Sequence, residues 1–169
     1  MAQYYNISGE STQELIAAGK NINVSEIHLS NTHIKSTCKV DLYIEKVNTG
    51  KFYLAKGVEL PVGATLLLND VSFRNSSGEF GLYIKLTAGD TFTLTGTIDP
   101  AASTTVPGVN TLFLSEITIG DQITVSSETK TVSAIASDTS LTVSQAFSNN
   151  SNDTTPDCIP QALVDVIIK

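Results

Sequence analysis

The side chains of this 169-residue chain best suited to nucleophilic or metal chemistry are two histidines and two cysteines, His28, His33, Cys38 and Cys158. Nucleophilic catalysis needs a base within hydrogen-bond reach of its nucleophile. His28 and His33 flank the end of a β segment, and two strand positions five apart face opposite sides of a sheet. Ordinary surface or sheet histidines are therefore expected. The chain holds no G-x-S-x-G elbow, P-loop, G-x-G-x-x-G, H-E-x-x-H or paired C-x-x-C. Hydrolytic, nucleotide-binding and zinc chemistry thus lack their defining residues. We assign no catalytic, cofactor-binding or metal-ligating residue and expect a protein that is not an enzyme. Two cysteines also exclude a disulfide framework, and the reading is two reduced, unrelated thiols.

Two weaker constellations remain. Asn149, Asn150, Asn152, Asp153 and Asp157 could offer oxygen ligands to calcium, which takes six to eight of them. The run lacks the alternating acids, Gly and terminal Glu of an EF-hand loop, so a solvated connector is expected. Tyr4, Tyr5, Tyr43, Phe52, Tyr53 and Tyr83 could make a sugar-stacking face. Aromatics alternating along strands more often serve packing and cross-strand pairing. Sequons at Asn6, Asn23, Asn75, Asn149 and Asn152 follow from composition, since no secretory signal accompanies them. The opening residues lack a basic region, and the apolar run at residues 15–18 is too short for a signal core. No stretch approaches the ~20 apolar residues of a membrane span. We expect a soluble chain made in a cytoplasm.

The elements that must position these residues are strands. Ser, Thr and Asn make up 50 residues, which favours pleated surfaces and turns over helices. In residues 38–45, Cys38, Val40, Leu42 and Ile44 share one face, while Lys39, Asp41, Tyr43 and Glu45 share the other. The turn Asn48-Thr49-Gly50 then leads into residues 52–60, predicting a hairpin. Phe80, Leu82, Ile84 and Leu86 alternate in the same way. Ile22 and Val24 run out of phase with Ile27 and Leu29, which predicts a β-bulge near Ser25 and Glu26. Residues 12–18 are open between a helical turn and a strand. Short strands at this density argue for a sandwich or barrel.

Residues 99–110 read as a Pro/Gly-containing connector, followed by a second β module over residues 111–147 with strands at 117–119, 123–125, 130–135 and 141–143. After an irregular stretch at 148–160, the β-forming residues 163–168 need a partner. Their expected place is the first domain, paired with the strand at residues 91–98. That predicts domains at 1–98 plus 161–169 and at 99–160, the latter an insertion. Residues 99–160 carry seven acids against Lys130 alone, so net charge is concentrated there. With no basic stripe elsewhere, direct nucleic-acid binding is not expected.

Residues 6–33, 52–73, 81–90 and 164–169, including FYLAKGVELPVGATLLLNDVSF, GLYIKLTAGD and VDVIIK, resemble small virion structural proteins of tailed bacteriophages. The similarity implies a β-sandwich that mounts on a larger assembly. Residues 119–125, 130–135 and 138–143 are similar to the small SH3-like barrels appended to phage structural proteins. The expected fold class is therefore all-β, a β-sandwich with a small SH3-like β-barrel inserted before the last strand. The expected function is capsid decoration in the virion, docked on the major capsid protein or other virion structural proteins, with self-association left open. A neck, tail or baseplate component and a carbohydrate-binding host-attachment module are the alternatives.

Overall fold

A computed structural model describes residues 2–46, 49–74, 79–99, 101–148 and 154–169. The chain is 57% strand and 3% helix, and its sheets are antiparallel. It forms two compact units, Met1–Gly89 with Ala162–Lys169, and Asp90–Gln161. The first unit opens with β1 (Gln3–Ser8), β2 (Gln13–Ile16), β3 (Asn23–Val24), β4 (Ile27–Asn31), β5 (Cys38–Lys46), β6 (Gly50–Leu60), β7 (Thr65–Leu68), β8 (Phe73–Arg74) and β9 (Phe80–Ala88). The second carries β10 (Phe92–Thr93), β11 (Thr97–Ile98), β12 (Thr105–Val109), α1 (Phe113–Glu116), β13 (Gln122–Val125), β14 (Glu128–Ser137), β15 (Ser140–Val143) and β16 (Asp157–Ile159). The chain then returns to the first unit as β17 (Leu163–Ile168).

In the first unit one four-stranded sheet runs β1-β17-β4-β7 and another β2-β9-β5-β6, with β3-β8 a separate pair. Period-2 alternation sends every second side chain inward. Val164, Val166, Ile7 and Leu29 of the first sheet thereby join Val40, Leu42, Leu82 and Ile84 of the second in one buried cluster. Each such side chain contributes roughly 1.5–3 kcal/mol relative to exposure. The expected β5–β6 hairpin is present, with Ile44 opposite Phe52 and Cys38 opposite Leu60; Asn48 of its turn lies outside the described residues. Residues 13–16 take the strand alternative, β2, paired with β9. The phase slip is resolved by hydrogen bonding: Ser25 and Glu26 both donate their amides to the Lys169 carbonyl, 2.8 and 3.2 Å away. Two residues facing one is the arrangement of a bulge, and it leaves Val24 and Ile27 both fully buried.

The pairing expected for the last strand is corrected. β17 does not lie beside residues 91–98; it sits between β1 and β4, with Val166 opposite both Tyr5 and Leu29. Both its edges are thus occupied. Residues 92–98 instead pair within the second unit, Phe92 with Cys158 and Thr97 with Val109, and they bury Leu94 and Ile98 in its core. The second unit accordingly begins at Asp90, nine residues before the connector read from the sequence.

That unit contains one seven-stranded sheet, β10-β16-β13-β14-β15-β12-β11. Its ends meet: Ile98 exchanges backbone hydrogen bonds with Thr154 at 2.8 and 3.0 Å, and Leu94 donates to the Pro156 carbonyl at 2.9 Å. The pairings therefore close into a ring around Ile98, Val106, Phe113, Ile123, Leu141, Phe147 and Cys158. Two local readings are revised. Part of the expected connector is β12, fixed by the fully buried Val106. The expected strand at 117–119 is replaced by the end of α1 and a turn, in which Thr118 donates to the Asp121 carboxylate at 2.8 Å.

Candidate docking surface

The residues suited to catalysis are held apart. His28 lies on the outer face of β4 and contacts Glu26, which Lys169 also reaches with its ammonium at 2.8 Å. Hydrogen bonds from Lys169 and His28 hold the Glu26 carboxyl below its ordinary value. His33 is buried beyond the strand, its Nδ1 accepting the amides of Lys35 and Ser36 at 3.0 and 2.8 Å. A ring used in this way braces a turn. Cys38 is buried, and desolvation pushes its thiol up to about 11. Cys158 is buried in the other unit, its Sγ 3.9 Å from an Asp121 carboxylate oxygen. Among the described residues no three His, Cys, Asp or Glu are grouped to hold a metal ion. Asn149, Asn150, Asn152 and Asp153 lie outside the described residues, and Asp157 accepts the Thr93 hydroxyl at 2.8 Å. Asn6 spends its amide on Asp165, and Asn75 is also outside the described residues.

The aromatic residues divide into groups. Tyr83, Tyr43 and Tyr53 form a cross-strand row over β9, β5 and β6. Tyr43 and Tyr83 stack at 5.8 Å with an interplanar angle of 18°, and Tyr53 tilts against Tyr43 at 5.5 Å. Lys51 lies 4.3 Å from the Tyr43 ring centre and Lys56 4.9 Å from that of Tyr53. These faces are occupied by other rings and by cations, interactions worth about 0.5–1.5 kcal/mol each. Stacked neighbours present edges to water, so this row is a poor sugar platform. Its contacts explain why Tyr43, on the outer face of β5, is only 1% exposed. Tyr83 donates to Glu14, and that bond, with burial, pushes its hydroxyl up to about 12. Phe52 packs edge-on to Phe80 at 6.0 Å, while Tyr5 turns inward to the Leu15 carbonyl. Tyr4 stands alone and is 72% exposed.

The exposed apolar side chains show a clearer pattern. Within the first unit these are Tyr4, Ile34, Phe52, Tyr53, Leu54, Val62 and Leu67, and five of the seven fall between residues 52 and 67. That segment is β6, the edge of one sheet, a turn closed by Ala64 donating to Pro61, and β7, the edge of the other sheet. The five follow the edge of both sheets and do not share one face: Tyr53 stands beside Tyr43 on the outer side of its sheet, and Leu67 beside His28 on the outer side of the other. Exposed apolar groups concentrated along one stretch of edge are a candidate for interaction. The β6 edge itself is guarded against strand addition. Lys51 and Lys56 flank it, and a register shift opposite Val40 and Leu42 places Gly57 at φ +59° with its amide on Asp41. Bulges and lysines are the usual protections of an edge strand. The β6 edge therefore offers side chains for docking and withholds its backbone.

Of these five residues the sequence raises only Phe52 and Tyr53 as binding candidates, as part of the aromatic set. The run Leu66-Leu67-Leu68 was the available signal, because three consecutive apolar residues in a short strand cannot all face inward. Comparison of the chain with protein-family models, curated proteins and solved structures finds no match. No helix among the described residues is long and apolar enough to cross a membrane.

Proposed function

We propose that this chain is a non-enzymatic structural protein of a tailed-phage virion, a capsid decoration protein whose first unit docks on the major capsid protein. In this reading the two four-stranded sheets form a β-sandwich, and the ring-closed second unit is a small SH3-like barrel inserted before the last strand. The observation that carries it is the run of exposed apolar residues Phe52, Tyr53, Leu54, Val62 and Leu67 along two edge strands and the turn that joins them. A rigid, pre-ordered apolar surface binds without a large ordering cost, which suits a protein that adds to an assembled particle. Charge distribution agrees with an outward-facing second unit. Residues 90–161 carry eight acids against Lys130, while the acids and bases of the first unit balance. Such a field is better placed away from packaged nucleic acid.

The test adds purified chain to particles that lack it, followed by reconstruction. Copies on the symmetry axes of the head are the expected result. Replacing Leu54 and Leu67 together by Glu should weaken attachment roughly tenfold or more while the melting temperature holds. A ring of copies confined to the neck or tail, or undiminished attachment of the Glu variant, rejects this assignment.

A further inference from the structure

The solvent face of the β1-β17-β4-β7 sheet carries a slot built from two neighbouring cross-strand pairs. Tyr4 lies opposite Ile167, Asn6 opposite Asp165, and between them Tyr5 opposite Val166 turns both side chains into the core. The outer face over that middle pair is therefore vacant of side chains. It forms a cavity of about 140 Å³ lined by Tyr4, Tyr5, Asn6, Asp165, Val166 and Ile167. Its walls are two residues apart along the strands, or roughly 6.6 Å.

The two walls differ in chemistry. One is the pair Tyr4 and Ile167. The other is Asn6 and Asp165, joined by an amide-to-carboxylate hydrogen bond of 2.6 Å. That bond uses one Asp165 oxygen and one of the two Asn6 amide protons, leaving the other oxygen to accept and the other N–H to donate. Further along the sheet, Ser30 follows Asp165 in register, and its hydroxyl meets that of Thr65 at 2.8 Å. The polar wall is thus continued by hydroxyls across β4 and β7.

We propose that this slot binds one pyranose ring of a neutral glycan. A pyranose has an apolar C–H face and a rim of hydroxyls, which match an aromatic wall and a carboxylate-amide wall a ring's width apart. Adjacent hydroxyls can donate to Asp165 and accept from Asn6 at once. The carboxylate selects against uronic and sialic acids through like-charge repulsion. A cavity of this volume is below the ~300 Å³ at which drug-sized pockets begin, so it takes a single sugar and not a folded ligand. Among the aromatic residues first considered for sugar stacking, Tyr4 combines a highly exposed ring with a polar pair across a cavity. Binding at this slot goes beyond particle attachment: of the docking residues Leu67 shares this face, in the cross-strand row Tyr4, Ile167, His28 and Leu67, and Tyr4→Ala, which leaves Leu67 in place, tests the slot separately from attachment.

The experiment titrates the full isotope-labelled chain with methyl glycosides of glucose, galactose, mannose and N-acetylglucosamine, following amide chemical shifts. Saturable shifts at residues 4–6 and 165–167 are expected for at least one of them, with a Kd of about millimolar for so few contacts. Tyr4→Ala should weaken binding roughly tenfold or more and Tyr4→Phe little, because stacking needs the ring and not its hydroxyl. Asp165→Asn should also weaken it, and Tyr53→Ala should leave it unchanged. Glucuronic acid should give no saturable shift. The assignment is overturned if none of the four neutral glycosides moves these amides, if the shifts centre on Tyr43, Tyr53 and Tyr83, or if Tyr4→Ala binds as the parent does.

Discussion

At the scale of single residues, burial decides what the cysteines can do. Cys38 opens β5 between β6 and β9 and is buried, where a thiolate would be stripped of water, so its thiol is raised from 9.0 to about 11. A thiol with that environment is inert at neutral pH. Ellman's reagent should therefore find no reactive thiol in the native chain and two after denaturation, Cys38 and Cys158 both being buried. One fast-reacting equivalent in the native state would contradict this. The same shift has a consequence for stability. An acid whose folded value is raised ionises more readily when unfolded, so its contribution is complete below pH ~9 and is lost as pH rises toward about 11. Tyr83, raised to about 12 by its bond to Glu14, extends the trend. The melting temperature should fall above pH ~9, and Cys38→Ala should have a shallower alkaline slope than the parent while starting from a lower value because of the small cavity. Equal slopes would mean that Cys38 is not the titrating group.

At the scale of elements, the decisive feature is β17, whose two edges are filled by β1 and β4. Val164, Val166 and Ile168 face the core and Leu163, Asp165 and Ile167 face outward. Val166→Asp places an uncompensated carboxylate between Tyr5 and Leu29 and should cost roughly 3–5 kcal/mol, read from denaturant midpoints. Ile167→Asp, one residue along and on the outer face, should cost far less. Similar losses for both would mean the register is wrong by one. The inward and outward assignment of β5 and β9 was legible in the sequence because one-sided burial imposes a period of two; β17 is apolar at every position but Asp165 and was legible only as a strand in need of a partner. The identity of its neighbours was not, since alternation says which face is buried and nothing about which strand lies alongside. Residues 91–98 alternate as well as any partner would, and only the closed ring of the second unit reveals where they pair. The candidate sites were legible to different degrees for a similar reason. Tyr4 stood among the aromatics, but its slot is made by Asn6 and Asp165, which are 159 positions apart in sequence.

At the scale of the whole molecule, the corrected boundary changes how the units can be separated. Removing residues 99–160, the boundary suggested by connector composition, would leave Phe92, Leu94 and Ile98 attached to the first unit. Their partners Cys158, Pro156, Gly108 and Thr154 would be gone, and two fully or nearly buried side chains, Leu94 and Ile98, would face water. Removing Asp90–Gln161 leaves no such orphan. The cut ends are also close, because the Ala88 amide donates to the Glu10 side chain at 2.8 Å and the Gly9 amide donates to the Ala162 carbonyl at 3.0 Å. Both ends therefore meet the same loop, residues 9–12 between β1 and β2, and about four Gly/Ser residues, reaching ~13 Å, can join them. The resulting chain keeps both four-stranded sheets and the whole of their shared core, at a length where single domains still fold alone. It should melt in one cooperative transition and remain monodisperse, whereas the chain lacking only residues 99–160 should melt lower and aggregate through its exposed 91–98 strand. If the two deletions melt alike and both stay soluble, residues 90–98 belong to neither core and the unit boundary drawn at Asp90 is wrong.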